Sequence, residues 1–249
     1  MNRLVAALCV AAPCLAQDAR QIVELVQRRA EVKSERYEGT LQVFDARGRT
    51  TEKRWRYDRL GSAGASKVVL RFTAPAEVKG VALLVFNHPD RASDQWMWTP
   101  AIQRDRRIAL QDRSTRFFGT DFSFEDLEEH ETGQYDYKML GEEALDGAPC
   151  WKIESRPKRS RSSQYTHSHL WVRQESCTFA RIESFVKDQL ARRLNYSNLE
   201  RVQGIWTPRR LEMHDLRRNS RTVLTLEKLT YNLPLKEEDF TLLALRRES

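Results

Sequence analysis

The 249-residue chain is short of most features that assign a protein at sight. After its first sixteen residues no stretch approaches the eighteen or so apolar residues that a membrane-crossing helix needs, which excludes a multi-span membrane protein. No glycine-rich linker divides it, and no fixed-period repeat or low-complexity tract interrupts it, so one domain is expected. Gly-x-Ser-x-Gly elbows, phosphate loops, His-Glu-x-x-His helices and dinucleotide fingerprints are all missing. Cysteine is scarce, at four residues. Lysine is scarce as well: of 42 basic residues ten are Lys and 32 are Arg. The arginines are dispersed among 35 acidic residues rather than gathered into a basic stripe, which argues against a nucleic-acid partner.

What is present describes a folded, exported chain. Hydrophobic residues make up 40% and charged residues 31%, too rich in apolar groups for a disordered tail. The net charge of +7 permits anionic partners such as lipid headgroups or nucleic acid, and bears on solubility and steering rather than on fold. Met1-Asn2-Arg3 is a short positive segment, Leu4 to Ala12 is apolar, and Cys14-Leu15-Ala16 has the small residues of a cleavage site. Residues 1–16 thus read as a secretory signal peptide and residues 17–249 as a single soluble domain. Cys9 follows Leu8 and Cys14 follows Pro13, so neither has the small preceding residue that lipidation requires. With the signal removed, only Cys150 and Cys177 remain. In an oxidising compartment a disulfide between them is expected, two separate thiols being the alternative.

Helical spacing of Ile22, Leu25, Val26 and Arg29 predicts a helix over residues 18–36 with Asp18 as N-cap. Downstream the pattern changes to alternation with period two, in about eleven runs bounded by turn residues. Lys53, Trp55 and Tyr57 share one face of a strand, and Val68, Leu70 and Phe72 share a face of the next. Val81 to Phe86 is apolar on both faces and is expected to be covered on both. The class is therefore α+β and mainly β, with one strongly curved antiparallel sheet and a short helix near Ser123.

The densest unusual stretch lies between Pro75 and Leu127. Trp96 and Trp98 point the same way on a strand, Arg104, Arg106 and Arg107 follow Pro100, and Phe117-Phe118-Gly119 precedes Phe122. Each feature alone has a plain structural explanation: paired Trp residues pack in cores, and acids after Ser123 cap helices. Together, Lys79-Gly80, Trp96-x-Trp98-x-Pro100, the arginine run with Ile108, and Phe118-Gly119-Thr120-Asp121-Phe122-Ser123-Phe124-Glu125-Asp126-Leu127 resemble the outer-membrane lipoprotein-sorting family. That resemblance, to LolA-like proteins, implies a half-open β-barrel with helices over its concave face and a hydrophobic cavity for acyl chains. It also implies a periplasmic, monomeric carrier without enzymatic activity or cofactor, working toward the outer membrane with an inner-membrane transporter or outer-membrane acceptor. The competing function is a lipid-sensing or accessory module that binds a membrane transporter or signalling partner.

Alternation and resemblance together nominate Trp55, Tyr57, Leu70, Phe72, Leu83, Val85, Trp96, Trp98 and Phe118 as cavity lining. Arg54, Arg56, Arg104, Arg106 and Arg107 are the candidates for holding a headgroup, with a solvated strand face as the plainer role. Gly80 and Gly119 are expected to mark bends or bulges. His167 and His169 could hold zinc only with a third ligand, and paired cysteines would not supply one, so no metal is expected. His88, His130 and His214 are expected at the surface or in loops. Asp121, Glu125 and Asp126 could form a catalytic acid cluster beside His88 or His130, but capping explains them at lower cost, and no catalytic residue is expected.

Overall fold

Period-two alternation over most of the chain builds strands, and a computed structural model, which describes residues 18–62 and 64–247, assembles thirteen of them into one antiparallel sheet. Residues 1–16, read above as an export signal, lie outside the described residues. A helix α1 (Ala19–Arg29) comes first. The strands β1 (Ser34–Phe44), β2 (Thr50–Leu60), β3 (Lys67–Ala74), β4 (Ala82–Phe86), β5 (Asp94–Thr99) and β6 (Arg104–Arg107) form one meander. The strands β7 (Tyr135–Leu145), β8 (Ala148–Pro157), β9 (His167–Arg173), β10 (Phe179–Val186), β11 (Gln189–Val202), β12 (Ile205–Asp215) and β13 (Ser220–Tyr231) form a second. Pairing of β1 with β13 welds the two, while β6 and β7 remain as the open edges of a curved, unclosed sheet. A short helix α2 (Leu242–Leu245) ends the described chain.

The sheet has more strands than alternation suggested. Arg104–Arg107 has no apolar residue to alternate, and only its pairing with β5 makes it a strand. The helix is shorter than its periodicity predicted, because Ser34 onward is claimed by β1, and its C-terminal turn closes at Ala30. At its start the Asp18 side chain accepts a hydrogen bond from the Arg20 amide, as an N-cap should. Near Ser123 there is one 3₁₀ turn, Glu125–Leu127, instead of a helix.

Register shows which residues share a face. Leu41 pairs with Leu224, Leu224 with Leu211, and Leu211 with Tyr196. Leu194, two residues before Tyr196, continues the row through Ile182, Leu170, Ile153 and Met139. In the other direction Tyr37 pairs with Tyr57, then Leu70, Leu83 and Met97. This inner face is covered twice. α1 buries Ile22, Val23 and Val26 against Ile153, Leu170 and Val172, and the segment between β6 and β7 buries Ile108, Phe117 and Phe124 against β1–β4. On the outer face Val69, Ala82, Leu84 and Trp98 pack under Phe240 and Leu245 of the C-terminal segment. As expected, β4 is covered on both faces.

Candidate functional site

α1 is held over the late strands by a few polar tethers as well as its apolar stripe. The Arg20 guanidinium donates to the carbonyls of Thr132 (3.2 Å) and Tyr135 (2.8 Å), and Gln27 donates to the carbonyl of His130. At the C-terminal end of the helix Val26, Arg29 and Ala30 border a cleft of about 570 Å³. Val26, Ala30, Phe179, Tyr196, Ile205, Trp206 and Pro208 supply apolar lining, with Arg29, Glu175 and Arg201 among the polar residues. The Arg201 guanidinium stands 4.8 Å from the centre of the Trp206 ring. Phe179 and Tyr196, with ring centroids 6.1 Å apart, also line a second space of about 290 Å³ deeper on the same face. The two rings thus border both chambers.

The deep chamber ends in buried charge. Arg192 donates to Asp126 and to the Tyr165 hydroxyl (2.9 Å), and Tyr165 donates to Asp126 (2.7 Å). Glu128 is shared by Arg113 (2.8 Å) and Arg161 (3.2 Å), and burial still pushes its carboxyl above the ordinary range. Asp121 accepts from the hydroxyls of Ser220 (2.5 Å) and Thr222 (2.7 Å) on β13. The acids after Phe118 therefore do more than cap a turn. They latch the inserted segment to the late strands, although Asp126 also accepts from the Ser123 amide (2.7 Å) in capping fashion. His130 lies in a loop, as expected, but is half-buried rather than exposed. Its ring stacks on Tyr135 at 3.8 Å and meets the Tyr137 hydroxyl at 2.9 Å, and burial pushes its pKa down to about 3.

The lining expected from the early strands falls elsewhere. Trp55, Leu70, Phe72, Leu83 and Val85 are buried on the inner face with Tyr57 beside them, but Phe117, Phe118 and Phe124 fill the space above. They are core, covered by a plug. Trp96 and Trp98 are opposite Leu84 and Ala82 on the outer face, against Phe86 and the C-terminal Phe240. The residues of β5 that turn inward include Met97 and Gln95, whose amide donates to the Phe124 carbonyl at 3.1 Å. What alternation could not show was the parity of β5 relative to the plug. The lining residues that sequence reasoning missed come from α1 and from β10–β12, whose alternation was visible but carried no motif.

The headgroup candidates are mostly committed to protein partners. Arg54 pairs with Glu227 (2.5 Å), Arg56 with Asp58 (2.9 Å) and Arg106 with Asp112 (2.8 Å). Arg107 pairs with Asp94 at 2.5 Å. Burial opposes ionisation of Asp94, yet hydrogen bonds from Arg91, Arg107 and His88 hold its carboxyl well below the usual range. Arg104 is exposed beside Trp98, Gln103, Asp105 and Arg246. None of the five lines either inner chamber.

The expected disulfide is absent: Cys150 and Cys177 are separate buried thiols. Cys150 packs with Trp171 and Ala180 and contacts the Ala148 carbonyl, whereas Cys177 lines the cleft at the end of α1 and contacts the Gln174 carbonyl. Cys150 is the third residue of β8, which starts two residues earlier than the strand pattern suggested, and it pairs with Arg173 near the end of β9. Four more residues of turn, with Cys177 itself in a left-handed conformation (φ 48°), carry the second sulfur into different surroundings. Gly80 and Gly119 both have positive φ, 81° and 76°, as residues at bends.

This architecture, a curved unclosed sheet with a helix and an inserted segment over its inner face, is that of LolA-like proteins. It matches a LolA superfamily protein from Nitrosomonas europaea (TM-score 0.70, 22% identity, 90% of this chain and 97% of that one). It matches more tightly a domain from Vibrio parahaemolyticus described as an outer membrane lipoprotein-sorting protein (TM-score 0.87, 24% identity, 92% and 98%). A DUF1329 family protein from Desulfovibrio piger has the same TM-score of 0.87 at 26% identity, over 91% and 97% of the two chains. The resemblance drawn from residues 79–127 is thus borne out in fold. A family model described as "uncharacterized protein" matches residues 64–247, and the chain belongs to that family. No curated protein sequence matches it.

Proposed function

We propose that this protein is a periplasmic carrier that takes the acyl chains of a lipid or lipoprotein into the cleft beneath α1 and delivers them toward the outer membrane. The observation that carries the reading is the cleft itself: about 570 Å³, mostly apolar in named lining, and bordered by the C-terminal end of a helix that only a few hydrogen bonds, from Arg20, Gln27 and Arg29, tether to the rest of the fold. Its volume lies within the roughly 300–1,000 Å³ of small-ligand sites. Arg29 and Arg201 at its border suit an anionic headgroup, and Phe179 and Tyr196 lead toward the deep chamber. Shielding a chain from water is worth about 0.8 kcal/mol per CH₂, whereas transfer from bilayer to cleft is near balance because both are apolar. That near-balance lets a carrier load and release. The named Vibrio and Nitrosomonas structures support the reading by fold. It assigns no catalytic step; a transporter or acceptor at the two membranes would supply the direction.

Titration of delipidated protein with a fluorescent fatty acid tests this. Saturable binding is expected, weakened by Ile205→Asp in the cleft and unchanged by Trp98→Ala on the outer face, with circular dichroism confirming the fold. If nothing binds at micromolar concentration, and native mass spectrometry of protein from its own envelope finds no retained lipid, the carrier reading fails.

A further inference from the structure

We propose that the outer face of β8 and β9 holds a site for a borderline divalent cation of the zinc class, made by Glu154, His167 and His169. His-x-His on a strand puts both rings on one face, and two nitrogens need a third ligand to make a site. The sequence suggested none because the cysteines were the obvious donors. Strand register supplies another. Glu154 pairs directly with His169 across β8 and β9, and one ligand atom from each of Glu154, His167 and His169 lies within 4.8 Å of the others. Among the described residues this is the one such group of three.

The surroundings fit ligation. The His167 ring stacks on Phe185 at 4.5 Å and 6° from parallel; the Thr166 hydroxyl donates to the Phe185 carbonyl (3.1 Å) and so is placed to accept from His167 Nδ1–H at 3.3 Å, the tautomer that leaves the Nε2 lone pair for a metal. Such fixing of ring and tautomer is what outer partners of metal-bound histidines do. Phe185 also contacts His169, at 4.8 Å between ring centres, and forms an apolar wall. Arg156 donates to both Glu154 oxygens, at 2.8 and 2.9 Å, yet each oxygen keeps a second acceptor position. Glu183, across from His169 on β10, is engaged by Arg193 at 2.7 Å. Bonds of about 2.0–2.1 Å to a tetrahedral ion would need the donor atoms to draw together by roughly an ångström, within reach of side-chain rotation. Two imidazoles and one carboxylate favour zinc or cobalt over calcium or magnesium, which prefer all-oxygen shells. The neighbouring residues Ile153 and Leu170 turn inward under α1, so the site is on the opposite face from the cleft and is independent of the carrier reading.

Zinc titration of the untagged, EDTA-treated and dialysed chain, followed by calorimetry and by visible absorption with Co²⁺, tests the site. One ion per chain is expected. Glu154→Gln should weaken binding about 10–100-fold, at least as much as loss of an outer partner does elsewhere, and His167→Ala/His169→Ala should abolish it. Cys150→Ser/Cys177→Ser should leave it unchanged. Absence of stoichiometric binding to the wild-type chain at micromolar Zn²⁺, or binding that persists in the double histidine variant, overturns the proposal without touching lipid binding.

Discussion

Phe72 of β3 and Phe117 of the segment between β6 and β7 stack with ring centroids 5.4 Å apart and planes 18° from parallel. Both are almost wholly buried, and Phe118 meets each of them edge-on, at 5.9 and 5.6 Å. This contact closes the inner face of the early strands, whereas the cleft and the deep chamber both lie over the late strands. Phe117→Ala should therefore cost about 3–5 kcal/mol, the range for deleting a large core aromatic, while fatty-acid affinity stays at the wild-type value. Urea unfolding and ligand titration of the same preparation check both halves. A large loss of affinity with little loss of stability would move the binding site to the early strands.

The Asp126–Arg192 pair is a second hold on the inserted segment, since it joins the segment to β11 at a buried position. Asp126→Ala leaves Arg192 facing Asp215 at 3.9 Å as its remaining carboxylate. Breaking a buried pair from one side costs about 3–5 kcal/mol when the surviving charge is left uncompensated, and the Asp215 carboxylate places the loss here at the lower end of that range. A double variant, Asp126→Leu with Arg192→Met, should be less destabilised than Asp126→Ala alone. Equal losses in the two proteins would mean that the buried guanidinium is not the source of the penalty.

Two free thiols should titrate when the protein is denatured without reductant. In the native state Cys150 should react slowly, because burial pushes its thiol above the ordinary range and leaves little thiolate. Recovery of no thiols from denatured, unreduced protein would establish a disulfide that the separate surroundings of Cys150 and Cys177 oppose.

His130 gives stability a pH dependence of definite sign. Its pKa is about 3 in the fold, against an ordinary value near 6.5, so below pH 6.5 the unfolded chain takes up a proton that the folded chain refuses. Stability is undiminished above pH 6.5 and falls as pH drops toward 3, by at most about 1.4 kcal/mol per unit from this group. Unfolding free energies at pH 7, 6 and 5 should decline less in His130→Gln than in wild type. Parallel slopes would show that His130 is not the titrating group.

Much of this protein was legible in its residues. The strand alternation, the apolar stripe of α1, double coverage of Val81 to Phe86, and the motif between Lys79 and Leu127 determined a mainly β, curved-sheet protein of LolA-like fold. Alternation says which residues of a strand share a face; it does not say what covers that face. Hence Trp55 and Phe72 were placed on the right side yet proved to be core under Phe117, and Trp98 turned out to lie under Phe240. Their environment depends on where segments distant in sequence come to rest, and so does the cleft, which exists because α1 covers only part of the late strands. The same holds for Glu154, set beside His169 by hydrogen-bond register between β8 and β9. Local periodicity contains no information about that register, because it is fixed only when the strands pair and each buries one face.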